Sequence, residues 1–123
     1  MATSDLQHRG MLAYHSGLCA EESVERDYEA RGHQIAARRW RGKGGEIDLI
    51  VEDGEGLIFI EVKKSKSFAQ AAERVSKRQI GRLYAAASEY MARMPRGQDT
   101  DVRFDVALVD STGALEILEN AFI

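Results

Sequence analysis

Two strand-like runs of apolar residues around a glycine turn constrain the fold of this 123-residue chain more than any other feature. The runs, residues 46–52 and 57–63, are rich in Ile, Val and Phe, and the segment 53–56 between them reads Asp-Gly-Glu-Gly. Apolar, β-branched runs that flank glycine-rich turn residues are typical of a β-hairpin. The sequence therefore predicts that the two runs pair as antiparallel strands.

The register of this hairpin follows if it closes symmetrically through the turn. Asp48 then faces Glu61, and Glu46 faces Lys63. Because strand side chains alternate between faces, the other face carries only apolar residues. These pairs are Ile47/Val62, Leu49/Ile60 and Val51/Ile58. The middle of the first face is apolar as well, which predicts that helices cover both faces and that the acidic group lies at one end of a buried ribbon.

Opposed carboxylates in a partly dry place need a compensating charge. Like charges across paired strands are destabilising, so Asp48 and Glu61 require a cation or a shared proton. Hard oxygen ligands favour magnesium or manganese. Lys63, on the same face as Glu61, can orient or help deprotonate an attacking water and offset phosphate charge. On spacing alone the alternative is an ordinary cross-strand ladder of ion pairs that includes Glu46, and exposed pairs contribute only about 0 to 1 kcal/mol each.

The acidic residues and the lysine also match a known sequence pattern. Asp48 followed by Glu61-Val62-Lys63 resembles the Asp…Glu-x-Lys core of the restriction-endonuclease-like superfamily. From about Gly17 to its end the chain is similar to the YraN-like family of small bacterial proteins, which resembles archaeal Holliday-junction resolvases in fold. The segments that carry this resemblance are 45–50, 59–63, 103–106 and 120–122. The resemblance implies an α/β fold, a single restriction-endonuclease-like domain with a central mixed β-sheet flanked by helices.

The resemblance further implies a set of site residues. Asp48, Glu61 and the backbone carbonyl of Val62 would hold the magnesium or manganese ion, Lys63 would serve the attacking water, and Glu21 from the first helix would complete or enlarge the site. The implied function is that of a metal-dependent nuclease that hydrolyses phosphodiester bonds in DNA, with branched or junction DNA among the expected substrates. The alternatives are a non-catalytic module that binds nucleic acid or recruits a partner, and a protein-interaction domain whose carboxylates are structural.

Positive charge surrounds the predicted site, although the net charge of the chain is −3. Residues 31–82 contain 12 Lys and Arg against 7 Asp and Glu, whereas the rest of the chain contains 5 against 13. Clustered basic residues can supply phosphate contacts that position a nucleic acid without reading its sequence. The residues expected to do so are Arg39, Arg41, Lys43, Lys64, Lys66 and Lys77. A solvated helix face is an equal alternative for the basic residues of the next helix, and for Trp40 a place in the core is favoured over stacking on an unpaired base.

The remaining elements follow from helical periodicity and strand alternation. Residues 1–16 are expected to form a flexible tail before a single endonuclease-like domain of residues 17–123. The predicted order of elements is α-β-β-β-α-β-β. Besides the first hairpin, these are a helix over 17–31, a strand over 33–40, a helix over 69–94 and a second hairpin with strands over 101–109 and 114–119. Asp105 of the second hairpin is expected to pair with a neighbouring arginine.

The composition, 44% hydrophobic and 30% charged, is that of an ordinary globular protein. No run approaches the roughly 20 apolar residues of a membrane helix, and the first ten residues lack the apolar core of a signal peptide, so a cytoplasmic protein without a membrane partner is expected. The single cysteine, Cys19, gives no intramolecular disulfide and is expected to be buried. The resemblance to Holliday-junction resolvases also implies a homodimer, because a symmetric four-way junction offers two strands to cut.

Overall fold

The computed structural model describes residues 19–122, which form one mixed sheet and its helices. The helices are α1 (residues 19–30), α2 (Phe68–Glu73) and α3 (Lys77–Met91), and a 3₁₀ turn spans Gly97–Asp99. The strands are β1 (Ile35–Arg41), β2 (Glu46–Asp53), β3 (Gly56–Lys64), β4 (Val102–Val109) and β5 (Leu115–Leu118). The predicted tail of residues 1–16 lies outside the described residues.

The five strands lie side by side in the order β1-β2-β3-β4-β5. All neighbours are antiparallel except β3 and β4, which are parallel from Leu57/Val102 to Lys64/Val109. A parallel pair requires a crossover connection, and α2 and α3 supply it. The prediction of an α/β domain with a central mixed sheet flanked by helices is therefore confirmed.

Helices cover both faces of the β2–β3 hairpin, as its apolar composition predicted. On one face Val24 and Tyr28 of α1 are fully buried in a cluster with alternate residues of β2, β3 and β4. On the other face Leu83 and Ala87 of α3 pack with Phe59 and its neighbours. Fully burying an aliphatic side chain stabilises the fold by about 1.5 to 3 kcal/mol, so the two apolar faces are the main reason that the hairpin forms the centre of the sheet.

The long helix predicted over residues 69–94 is wrong, because two helices occupy this segment. The chain leaves the helical conformation after α2, and Ser76 starts α3 as an N-cap whose hydroxyl accepts a hydrogen bond from the backbone N–H of Gln79 at 3.2 Å. Ser67 caps α2 in the same way through Gln70. A serine side chain that satisfies an N-terminal N–H group stabilises a new helix start, and here this local effect outweighs the continuous apolar period.

The predicted register of the first hairpin is confirmed from Leu49/Ile60 to Asp53/Gly56. Beyond Leu49, however, the alternation of side chains breaks, and Ile47 packs in the α3 cluster instead of beside Leu49 in the α1 cluster. The predicted Ile47/Val62 pair is therefore wrong. The break lies at Asp48, whose side chain takes the hydrogen bond of a backbone group of β3, as described below.

Three further expectations have clear outcomes. Asp105 is fully buried and accepts two hydrogen bonds from Arg103, both at 2.9 Å, so its predicted pairing with an arginine is confirmed. Cys19 is exposed, and its predicted burial is wrong because Ala20, one residue later, faces the core in its place. Within residues 19–122, no helix has the length and apolar character needed to cross a membrane.

Candidate active site

Asp48 interrupts the regular pairing of β2 on both of its sides. Toward β3, its Oδ2 accepts a hydrogen bond from the backbone N–H of Val62 at 2.8 Å, which a strand carbonyl would accept in a regular ladder. Toward β1, the paired residues Arg38/Leu49 and Trp40/Ile47 flank a position where Arg39 lies opposite Asp48 and has a φ of 47°. A positive φ is uncommon for a residue other than glycine. The carboxylate of Asp48 is thus held by the backbone.

Glu61 lies beside Asp48 and is nearly inaccessible to solvent, at 8% exposure. Burial, the charge of Asp48 and a hydrogen bond between the two side chains raise the pKa of Glu61 to about 8, while Lys63 acts in the opposite direction. The amide of Gln79 donates a hydrogen bond to Glu61 Oε1 at 3.0 Å. The predicted meeting of Asp48 and Glu61 therefore occurs, and near neutral pH the metal-free pair carries a proton.

Lys63 completes the group on β3. Its Nζ lies 3.5 Å from Glu61 Oε1, and its side chain is 18% exposed. The predicted partner of Lys63 across the hairpin was Glu46, but Glu46 instead pairs with Arg41 of β1 at 3.3 Å. Because β2 departs from β3 at Asp48, Glu46 does not face Lys63. The cross-strand ladder of ion pairs, which was the alternative on spacing alone, therefore does not form.

A cavity of about 740 Å³ opens in front of the two carboxylates. Its walls are the loop of residues 42–45 between β1 and β2 and the first half of α3. Besides Asp48 and Glu61, it is lined by Glu46, which pairs with Arg41, and by four basic residues, Arg41, Lys43, Arg78 and Arg82. An acidic pair at one side of a basic cavity can hold a cation and an anion next to each other.

Glu21 reaches the site from the opposite side of Asp48. A second cavity, of about 430 Å³, is lined by Glu21, Arg39, Asp48 and Val62 among others. Glu21 forms an ion pair with Arg39 at 2.9 Å. Across residues 19–122, no three His, Cys, Asp or Glu side chains gather into a group that could hold a metal ion. Glu21 thus borders the same aspartate as Glu61 but does not join the two carboxylates in a triad.

The basic residues predicted to contact nucleic acid are divided by the structure. Arg41 and Lys43 line the large cavity, whereas Arg39 lines the second cavity. Lys64 borders a small depression of about 80 Å³, and Lys66 and Lys77 are exposed on either side of α2. The structure therefore brings two of the six to the large cavity in front of the acidic pair, and Arg39 to the other side of Asp48.

The cavity also contains Arg78, Gln79 and Arg82. Arg78 and Arg82 belong to the basic helix for which phosphate contact and a solvated face were equal alternatives, whereas Gln79 was not predicted. The spacing of Arg78 and Arg82, four residues apart in a helix, puts them on one face, and this signal was available in the sequence. Gln79 had no such signal, because its contact with Glu61 joins residues of separate elements. Trp40 packs edge-to-face on Tyr90 with ring centroids 5.4 Å apart, which confirms the favoured place in the core.

Comparison with known proteins gives a consistent assignment. The family model described as "Uncharacterised protein family UPF0102" matches residues 20–109. A UPF0102 protein of Cereibacter sphaeroides is 60% identical over 113 residues, which cover 92% of this chain and 97% of that protein. UPF0102 proteins of Ruegeria pomeroyi and of Ruegeria sp. (strain TM1040) are 56% and 45% identical, over 95% and 98% of this chain. This chain therefore belongs to the uncharacterised protein family UPF0102.

Proposed function

We propose that this protein is a metal-dependent nuclease that hydrolyses phosphodiester bonds in DNA, with branched or junction DNA among the expected substrates. The observation that carries the proposal is the contact between the carboxyl groups of Asp48 and Glu61 at the edge of a basic cavity. A metal-dependent hydrolase acting at phosphorus needs a cation site next to a phosphate site. Here the carboxylates that could bind a cation and the basic side chains that could bind a phosphate line the same cavity.

The donor set fits magnesium or manganese. Burial of Glu61 and its repulsion by Asp48 raise the pKa of Glu61 so that the metal-free pair retains a proton, and a divalent cation relieves that repulsion. Magnesium is usually bound through one or two carboxylates and keeps positions for water and substrate phosphate, so two carboxylates suffice. The residues that would hold the ion are Asp48, Glu61 and, through its backbone carbonyl, Val62.

The chain's own residues supply the rest of the chemistry. When bound, the cation contributes Lewis acidity at a phosphoryl oxygen. Lys63, 3.5 Å from Glu61, orients the attacking water and offsets the negative charge that grows on the phosphate. Arg41, Lys43, Arg78 and Arg82 bind phosphates of the backbone and draw the strand into the cavity.

The decisive experiment is cleavage of a labelled panel of duplex, single-stranded, flap and four-way-junction DNA with magnesium, manganese or chelator at matched salt. Wild-type protein is expected to cut in either metal, and Asp48→Asn and Lys63→Ala are expected to lose cleavage. Glu55→Gln, in the exposed hairpin turn at the far end of β2 and β3, is the matched control and should retain activity. Absence of metal-dependent cleavage of every substrate by the wild type would refute the catalytic proposal.

A non-catalytic module that binds nucleic acid is the second candidate. It is favoured by one observation, that Glu21 is neutralised by Arg39 and stands apart from the pair formed by Asp48 and Glu61. This candidate predicts salt-sensitive binding to DNA that neither metal nor Asp48→Asn changes, without cleavage. We also propose a homodimer, which sedimentation of the purified protein would test, since two symmetric strands require two sites.

A further inference from the structure

The β1–β2 loop, residues 42–45, lies directly on α3. A Cβ atom added to Gly44 would lie 2.7 Å from the Cβ of Ala85, and one added to Gly45 would lie 2.8 Å from the carbonyl oxygen of Arg82. These separations are shorter than carbon contacts allow. The glycines are therefore needed so that the loop backbone can approach the helix.

Glu89 of α3 fixes this approach. Its Oε1 accepts a hydrogen bond from the backbone N–H of Lys43 at 3.0 Å, and its Oε2 accepts one from Gly44 at 3.2 Å. One carboxylate thus binds two successive N–H groups of the loop. Hydrogen bonds to a charged acceptor are stronger than those between neutral groups. Inside the loop, Gly42 also donates to the carbonyl of Gly45 at 2.9 Å.

The contact joins the two walls of the large cavity. Lys43 comes from the loop, Arg41 comes from the end of β1 that leads into it, and Arg78 and Arg82 come from the helix that carries Glu89. We propose that Glu89 is a positioning residue. By holding the loop against α3, it places Arg41 and Lys43 where they bind backbone phosphates on either side of the scissile bond. This inference rests on the proposed function, because it assigns Arg41 and Lys43 to the same substrate.

A purely electrostatic effect of Glu89 and a positioning role predict opposite changes in the affinity for nucleic acid when Glu89 is replaced. Removal of a carboxylate near a phosphate site lowers repulsion and should tighten the binding of nucleic acid. Loss of a positioning contact should weaken it, because release of the loop then moves Lys43 and the adjoining end of β1 that carries Arg41. The sign of the change in affinity therefore separates the two effects.

The experiment compares wild type with Glu89→Ala and Glu89→Gln in binding and cleavage of the best substrate across a salt series. Loss of two phosphate contacts should reduce the slope of log affinity against log salt by about 1.8 on duplex DNA, with KM about tenfold higher and kcat nearly unchanged. Glu89→Gln, which retains one acceptor, should be intermediate. Glu73→Gln, an exposed carboxylate on α2, is the control for charge removal and should leave the slope unchanged.

A second pair of variants disturbs the loop while Glu89 remains. Gly44→Ala should reproduce the weaker binding because its new methyl group meets Ala85. The double variant Gly44→Ala/Ala85→Gly removes the opposing methyl group and should restore the wild-type slope. Hydrogen exchange at the amides of Lys43 and Gly44 should be about tenfold faster in Glu89→Ala than in wild type, since both lose their acceptor.

The exchange measurement involves no nucleic acid, so it separates failure of this inference from failure of the proposed function. If wild type neither binds nor cuts DNA, the proposed function fails and the positioning role fails with it. If wild type binds but Glu89→Ala has the same or a steeper salt slope, or binds more tightly, the positioning role alone is overturned. Unchanged exchange at Lys43 and Gly44 would overturn it as well.

Discussion

Replacement of Glu61 by glutamine should stabilise the metal-free protein. The glutamate is buried beside Asp48, and its pKa is raised from 4.5 to about 8. A raised pKa of an acid means that the folded state holds its proton more tightly than the unfolded state does. Stability therefore falls as pH rises from about 4.5 to about 8 and changes little outside this window. Glutamine can still donate a hydrogen bond to Asp48 but has no proton to lose.

The size of the effect follows from the same pKa. At pH 7, Glu61 is about 2.5 pH units above its pKa in the unfolded chain but still below its pKa in the folded chain, so it ionises only on unfolding. Each of these pH units favours the unfolded state of the wild type by about 1.4 kcal/mol. The glutamine variant lacks this ionisation and should therefore be more stable than the wild type by about 3 kcal/mol. The difference should be below about 1 kcal/mol at pH 5 and reach about 5 kcal/mol at pH 9. Only 10% of the Glu61 side chain is exposed, so water screens little of this effect.

Urea unfolding followed by circular dichroism at pH 5, 7 and 9, with chelator present, measures these differences. Glu55→Gln in the hairpin turn controls for removal of a negative charge and should show no such pH dependence. A Glu61→Gln variant that is less stable than wild type, or whose advantage is the same at all three pH values, would refute the reasoning. Addition of manganese should reverse the order, because wild type gains a ligand that the variant binds poorly.

Other perturbations give further predictions. The affinity for manganese, followed by calorimetry, should fall about tenfold for each pH unit below 8, because the proton on Glu61 must leave before the metal binds; an affinity independent of pH would contradict this. Ser76→Ala should lower the free energy of unfolding by about 1 kcal/mol through loss of the α3 N-cap, whereas Ser23→Ala within α1 should have little effect. Tyr28→Phe should cost about 1 to 2 kcal/mol in urea unfolding, because Asp105 loses the 2.7 Å hydrogen bond from the tyrosine hydroxyl; a neutral change would mean that Arg103 and the backbone N–H of Asn120 satisfy Asp105 without it.

The centre of the fold could be predicted from the sequence because its signals are local. Alternation of apolar residues about the turn determines the pairing of Leu49 with Ile60, and apolar residues on both faces imply helices on both sides. The meeting of Asp48 and Glu61 follows from the same register. The mixed character of the sheet was implied only by resemblance, and the parallel pairing of β3 with β4 was not predicted, since strand patterns alone do not determine which strands are neighbours.

The rest depends on contacts between distant residues or on single local hydrogen bonds. The apolar period runs through Val75 and Ile80 without a break, so periodicity alone missed the N-cap at Ser76. Gln79 and Glu89 were missed because their partners, Glu61 and the loop amides, belong to other elements. Such contacts become visible only when the crossover has brought α3 onto the sheet.

Because β2 breaks at Asp48, this residue both accepts a backbone hydrogen bond from β3 and supplies a carboxylate to the proposed metal site. Glu61 has only the second of these roles. Regular pairing would leave Val62 N–H to a strand carbonyl, but here the Asp48 carboxylate accepts it at 2.8 Å. Asp48→Ala would relieve repulsion with Glu61 yet leave a part-buried N–H without its acceptor, a loss of about 1 to 3 kcal/mol. Asp48→Asn keeps an oxygen acceptor and removes the charge. We therefore expect Asp48→Asn to unfold at higher urea concentration than Asp48→Ala, while both lose metal binding. Equal stability of the two variants would mean that the Asp48–Val62 hydrogen bond contributes nothing, and that the interrupted strand is held by packing of Ile47 and Leu49 alone.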